Sequence, residues 1–152
     1  MYGVKQPWLN IIQWDYHREV GGLILGKRMG DKYKIEKLIQ LKNRIRLSRH
    51  KYKLPNVFVL FAVMIWQKVK YGHDILGEWH SHPNIGDVAE PSEKDELVMR
   101  RKVRWSGVQF YLLGIVIKTV KKKTLMNLWY YSLNNINEKR YSNPVRQARK
   151  GK

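Results

Sequence analysis

Two histidines separated by a single residue, His80 and His82, are the residues best suited to chemistry in this chain. If they lie on a β-strand, their side chains project from the same face, because side chains alternate along a strand. Two imidazoles on one face can chelate one metal ion, and neutral imidazole is a common ligand for zinc. The spacing therefore predicts a metal site, although it also occurs incidentally in strands that bind no metal.

A carboxylate that could complete such a site follows in the segment "PSEKD". Two imidazoles and the Asp95 carboxylate would leave one coordination position open for water, as in catalytic zinc sites. Ser92 and Asp95 also match a helix-capping pattern, in which the hydroxyl caps the helix and the carboxylate reaches back. The spacing by itself leaves both interpretations open.

The two motifs together resemble a known signature. "HSHP" followed by "PSEKD" is similar to the His-x-His-Pro…Pro-Ser-x-x-Asp pattern of the JAMM (MPN+) metalloproteases. The upstream "EVGGLILG" resembles the segment in which that family carries its catalytic glutamate. "GEWHSHP" further resembles the small bacterial members, including the deconjugases of CBASS antiphage operons. The resemblance covers roughly residues 16–96 and implies an α/β fold: a single MPN-like domain with a central mixed sheet flanked by helices in three layers.

The resemblance also implies roles for particular residues. A single zinc ion per chain would be held by His80, His82 and Asp95. Glu19 would be the general base that acts on the catalytic water, and Ser92 would stabilise the transition state.

The loop between the two motifs departs from the family pattern. Nine residues lie between His82 and Ser92, which is longer than the usual spacing. Asp87 and Glu90 are therefore possible rivals of Asp95 as the third ligand. We favour Asp95, because the "PSxxD" part of the motif is intact.

The neighbours of the histidines are predicted to divide between the two faces of their strand. Glu78 would share the face of His80, where it could orient a histidine. Trp79 and Ser81 would point the other way, into the core or toward substrate. His17, His50 and His73 have no partner at a useful spacing and are predicted to be surface residues.

The implied activity is hydrolysis of peptide or isopeptide bonds without a covalent intermediate. The implied substrate is a protein conjugate with an extended C-terminal tail, and the implied partners are the activating and conjugating enzymes of the same operon. One alternative is a protease that trims a sulfur-carrier or ubiquitin-like precursor. Another is a basic interaction module without enzymatic activity that binds nucleic acid.

Composition limits these alternatives. The chain has 152 residues, enough for one domain, and a net charge of +18 from 30 Lys and Arg against 12 Asp and Glu. Such charge attracts polyanions, or it merely keeps the protein soluble.

The absence of cysteine excludes thiolate metal ligands and fits a reducing compartment, so we expect a cytoplasmic protein. The longest apolar run, Val57–Trp66, is too short to span a membrane, and no membrane partner is expected.

Local patterns predict the elements that would position the site. We expect a two-stranded hairpin that turns at residues 29–31. The apolar run could form a strand, but its length and polar ending favour a helix that starts near Pro55. "DILGEWHSH" predicts a strand, and "SEKDELVMRRKVR" predicts a helix capped by Ser92. "VQFYLLGIVIKTV" and "TLMNLWYYSL" predict two further strands.

The ends of the chain show weaker patterns. A short helix is predicted after Pro7, and a strand is possible at residues 44–47. We expect residues 1–137 to form the metalloprotease domain, followed by a basic and loosely structured tail at residues 138–152.

Overall fold

The structure is a computed structural model, and it describes residues 19–29, 32–41, 57–85, 90–106, 108–118 and 124–133. These ranges contain five strands and two helices in the order β1 (Gly21–Met29), β2 (Lys32–Leu41), α1 (Val57–Tyr71), β3 (Asp74–Ile85), α2 (Glu93–Ser106), β4 (Phe110–Lys118) and β5 (Thr124–Ser132). The predictions of the hairpin, both helices and the three later strands are therefore confirmed.

Several predictions fall outside the described residues. They are the helix after Pro7, the strand at residues 44–47, the tail at residues 138–152, and the surface positions of His17 and His50. None of the helices in the described ranges is both long and apolar enough to cross a membrane.

The five strands form one mixed sheet in the order β2-β1-β3-β4-β5. β1 pairs antiparallel with both β2 and β3, and β4 pairs antiparallel with β5. β3 and β4 are parallel, and α2 supplies the crossover that a parallel pair requires. The predicted α/β class with a central mixed sheet is confirmed. β2 is the outermost strand on its side among those described, and it carries the exposed lysines Lys32, Lys34 and Lys37.

Each face of the sheet carries its own apolar cluster. The completely buried Trp79 packs with Ile24, Leu112 and other residues on one face. On the opposite face, Met99 and Val103 of α2 pack against residues of β4 and β5. Because side chains alternate along β3, Trp79 and His80 lie on opposite faces. The face of His80 is therefore the face that α2 covers.

Gly77 allows β3 to pack against β4 just before the histidines. A Cβ atom at this position would lie 2.0 Å from the backbone oxygen of Leu112, which is far inside van der Waals contact. Any other residue would push the two strands apart. This glycine thus holds β3 close to β4 immediately before the histidines.

The end of α1 corrects the prediction for His73. Gly72, at a φ of 66°, ends the helix in the left-handed region, and the His73 amide then donates to the Gln67 backbone oxygen. This turn directs the His73 side chain, only 11% exposed, against Glu36. The prediction that His73 is a surface residue is therefore wrong. Glu36 itself lies where the β1–β2 register shifts, opposite the step from Leu25 to Gly26.

Candidate metal centre

β3 brings the two histidines together, as their spacing predicted. The Nε2 atoms of His80 and His82 are 3.2 Å apart, and the ring centroids are 5.1 Å apart. The side chains are 12% and 25% exposed, so both are largely shielded but remain accessible from one side. Two ring nitrogens that face each other in this way can direct their lone pairs at a common point.

The first turn of α2 adds a carboxylate to this point. Asp95 Oδ1 lies 3.5 Å from His80 Nε2, and Asp95 Oδ2 lies 3.6 Å from His82 Nε2. A zinc ion at roughly 2.0–2.1 Å from each ligand, with tetrahedral angles, would hold ligand atoms about 3.3–3.4 Å apart. The separation of the two imidazole nitrogens is close to that value, and each nitrogen lies at a similar distance from one oxygen of the Asp95 carboxylate, His80 from Oδ1 and His82 from Oδ2. Within the described ranges, these are the residues that group as a possible metal site.

Ser92 caps α2 and fixes the same carboxylate. Its backbone amide and its hydroxyl donate to Asp95 Oδ2 at 2.8 and 2.7 Å, and its Oγ accepts from the Asp95 amide at 3.2 Å. The capping pattern and the metal-ligand pattern are therefore both present, because one carboxylate takes part in each. The Ser92 hydroxyl hydrogen is directed at Asp95 in this structure. Its role in the transition state stays a prediction.

The electrostatics of the site keep Asp95 ionised. Burial raises the pKa of the Asp95 carboxyl, but hydrogen bonds from His80 and His82, the charge of His80 and a hydrogen bond from Ser92 outweigh that effect. The resulting pKa lies well below its usual range. The carboxylate is therefore charged at neutral pH and available as an oxygen ligand.

The structure separates Asp95 from one of its two rivals, Glu90. Glu90 is exposed and does not belong to the group that could hold an ion, and Asp87 lies outside the described residues. Glu78, 7% exposed, shares the histidine face, but its carboxylate accepts a hydrogen bond from Lys102 of α2. The partner of Glu78 is thus a lysine, which sequence reasoning did not find.

Strand pairing brings the residues just after Glu19 next to the histidines. Gly21 pairs with His80 in the β1–β3 register, and the Ser81 amide donates to the Val20 oxygen at 2.7 Å. If this pairing continued for one more step, Glu19 would lie opposite His82. Glu19 itself is half-buried. Its role as general base stays a prediction.

The Ser81 side chain connects β3 to Val20 on the face of β3 opposite the histidines. Its hydroxyl is fully buried and accepts a hydrogen bond from the Val20 amide at 3.0 Å. The prediction that Ser81 points away from the histidines is confirmed, but its contact with Val20 was not foreseen. The signal was present in the sequence, because a buried serine on the core face of a strand requires a hydrogen-bond partner.

Comparisons with known proteins identify a family and agree with the fold. Residues 9–131 match the family described as prokaryotic homologs of the JAB domain. The solution structure of protein DSY2949 from Desulfitobacterium hafniense is 22% identical, with a TM-score of 0.53, over 84% of this chain and 75% of that chain. A solution structure from Salinibacter ruber is 17% identical, with a TM-score of 0.50, over 85% of this chain and 75% of that chain. At these identities the two structures indicate a shared fold. No curated protein matches the chain.

Proposed function

Because the chain belongs to the prokaryotic homologues of the JAB domain, we propose that it is a zinc-dependent hydrolase that cleaves peptide or isopeptide bonds in protein conjugates. The observation that carries this proposal is the grouping of three side chains. His80 Nε2 and His82 Nε2 lie 3.2 Å apart, each lies 3.5–3.6 Å from one of the two Asp95 oxygens, and one ligand atom from each residue lies within 4.8 Å of the others. Separations of this size suit a tetrahedral ion with one position left for water or substrate.

The residues of the site divide the chemistry between them. His80, His82 and Asp95 would hold the ion, which when bound would polarise the scissile carbonyl and make water more acidic. Glu19 would take a proton from the attacking water and deliver it to the leaving amine as the C–N bond breaks. Ser92 turns its hydroxyl from Asp95 toward the developing oxyanion, a contribution worth roughly 2.7–4 kcal/mol in other hydrolases.

The finer assignment is a deconjugating isopeptidase of the bacterial antiphage CBASS type. It rests on the similarity of "GEWHSHP" to the small bacterial members of the family. The substrate would be a protein conjugated through an extended C-terminal tail, which would lie along a strand near the ion. Activating and conjugating enzymes of the same operon would be its functional partners. A cysteine-free chain fits action in the reducing cytoplasm.

Glu19→Gln is the variant that tests the proposed reaction. It should keep zinc and the fold but lower turnover by about 10²–10⁴-fold, because it removes the proton acceptor and no ligand. Glu93→Gln, an exposed carboxylate in the first turn of α2, is the matched control and should retain the wild-type rate. Zinc content, melting temperature and cleavage rate would be measured on the same preparations.

The substrates decide between related activities. Zinc-loaded protein would be offered one ubiquitin-like modifier, either in isopeptide linkage to a lysine or in linear fusion. Faster cleavage of the isopeptide supports deconjugation, and faster cleavage of the fusion supports precursor processing. Wild-type turnover by Glu19→Gln would contradict the mechanism. Inertness of wild-type protein toward both linkages, together with salt-dependent binding of nucleic acid, would favour the non-enzymatic alternative.

A further inference from the structure

A second contact joins the strand and the helix that supply the metal ligands. Lys102 Nζ of α2 donates to Glu78 Oε2 of β3, and the Glu78 side chain is only 10% exposed. Lys102 Nζ also lies 5.7 Å from the centroid of the Tyr111 ring on β4. The ion pair is therefore built into the packing between α2 and the sheet.

The ion pair and the candidate metal site share the same faces of the same two elements. Glu78 is two residues before His80, so both side chains project from one face of β3. Lys102 follows Asp95 by about two helical turns, so these two side chains lie on one side of α2, about 10 Å apart along its axis. The Glu78–Lys102 pair is thus a second point of attachment behind the ligands.

Apolar packing alone would hold α2 against the sheet without fixing its position. Met99 and Val103 bury themselves against the β4–β5 cluster, but the hydrophobic effect is not directional. A partly buried ion pair adds little net stability, because desolvation offsets most of the attraction, yet it can select one register. A slip of a single residue would shift α2 by about 1.5 Å and rotate it by about 100°. Asp95 would then leave the histidines.

We propose that Glu78 and Lys102 are positioning residues that fix the axial position and rotation of α2 against β3, and thereby hold Asp95 at ligand distance from His80 and His82. The part of this inference that concerns zinc binding rests on the proposed function. The part that concerns the position of Asp95 does not.

Zinc affinity, measured by competition with a chelator, tests the metal part. Lys102→Met should weaken zinc binding by about 10–100-fold, the range typical of residues that support metal ligands. Lys102→Arg, which keeps a cationic donor, should retain most of the affinity. The exchanged pair Glu78→Lys/Lys102→Glu should restore it, because the attachment is re-formed with reversed polarity. Arg101→Met, an exposed neighbour on α2, is the matched control and should have no effect.

Two alternative roles for the ion pair predict different results. If the Glu78 charge acts on the ion directly, the exchanged pair will bind zinc as weakly as Lys102→Met does, and the positioning role is wrong. If the pair only stabilises the fold, Lys102→Met will lower the melting temperature without changing the zinc affinity of folded protein, which also overturns it. If Lys102→Met does not fold, Glu78→Gln/Lys102→Met leaves no buried charge unpaired and replaces it in both measurements.

A measurement without metal separates this inference from the proposed function. Nuclear Overhauser contacts between Asp95 and the His82 ring are expected in metal-free wild-type protein. They should be lost in Lys102→Met, while α2 stays helical, and should return in the exchanged pair. Unchanged contacts in Lys102→Met would overturn the positioning role even if zinc never binds. If Lys102→Met loses the contacts and the wild-type protein binds no zinc, the positioning role is supported and the proposed metal site is contradicted.

Discussion

Two clusters of histidine and carboxylate lie toward opposite ends of β3, and only one of them suits a metal. At the far end, His80 and His82 direct two Nε2 atoms at Asp95 from within 3.6 Å. Just before the strand begins, His73 faces Glu36 Oε2 at 3.0 Å and Gln67 Oε1 at 3.3 Å. The residue types are alike in the two places, but the arrangement of their ring nitrogens differs.

The difference lies in which atoms are still available to bind an ion. Both ring nitrogens of His73 face oxygen atoms, and Lys34 and Lys27 lie 3.1 and 3.7 Å from the Glu36 carboxylate. A second cation would be repelled there. At the candidate metal centre the ring nitrogens converge on one point beside an ionised carboxylate. Convergence of lone pairs, more than the residue types, identifies a metal site.

Removal of a ligand should give the largest contrast between the clusters. His82→Ala leaves two protein ligands, and we expect zinc affinity to fall by at least about 100-fold, since such a site is poor. His73→Gln should bind zinc as wild type does. Isothermal titration and metal analysis of the purified proteins would measure both. Stoichiometric zinc in His82→Ala, or its loss in His73→Gln, would reverse the distinction between the two clusters.

Acid should release zinc through the imidazoles. Burial raises the pKa of the Asp95 carboxyl, but hydrogen bonds from His80 and His82, the charge of His80 and a hydrogen bond from Ser92 outweigh this and lower it, so the carboxyl stays ionised in weak acid. Protons then compete with zinc for the imidazole lone pairs. We expect the affinity to fall by more than about tenfold between about pH 7.5 and pH 5.5. His73→Gln should show the same profile, and a flat profile in wild type would argue against histidine ligands.

The smallest effect is expected on stability, at Glu36 in the cluster with His73. A hydrogen bond from Lys34 lowers the pKa of the Glu36 carboxyl; burial opposes this, and the charges of Lys27 and Lys34 and a hydrogen bond with His73 add to it. A carboxyl whose pKa is lower in the folded than in the unfolded state stabilises the folded state at pH values above its unfolded-state pKa. This stabilisation is lost as the pH falls through the folded-state pKa. Glu36→Gln should therefore cost up to about 1 kcal/mol at neutral pH. The cost should diminish as the pH falls below the ordinary pKa of a glutamate, about 4.3, and through the lower folded-state pKa.

Urea unfolding at neutral and at acid pH would measure this difference between wild-type protein and Glu36→Gln. Zinc affinity should be equal in the two proteins. A stability difference that grows as the pH falls would contradict the expected direction of the effect.

Local signals in the sequence were enough to predict part of the candidate site. Alternation along β3 predicted that His80 and His82 project from one face, and the spacing from Ser92 to Asp95 predicted the helix cap. Both features depend on residues a few positions apart, so they follow from strand and helix periodicity. Asp95 was favoured as the third ligand because of the resemblance to the JAMM signature, since its approach to the histidines depends on how α2 packs against β3.

The features that were missed depend on how distant elements meet. Lys102 and Glu78 are 24 positions apart, and their contact depends on where α2 rests on the sheet. His73 is half-buried against Glu36, which lies 37 positions away where the β1–β2 register shifts. Neither of these contacts leaves a periodic pattern in the sequence. Sequence reasoning therefore found the residues that group as a candidate metal site but not the contacts that support them.

The lysines of β2 affect how molecules of this protein associate with one another. An outermost strand offers unpaired backbone groups to a second chain, and charged side chains discourage such pairing. Lys32, Lys34 and Lys37 would meet their counterparts when two copies approach edge to edge. Salt weakens that repulsion, because the screening length is about 10 Å at 0.1 M and shorter above it. Solubility should therefore decrease as salt is raised, and light scattering that stays constant would show that another feature protects this edge.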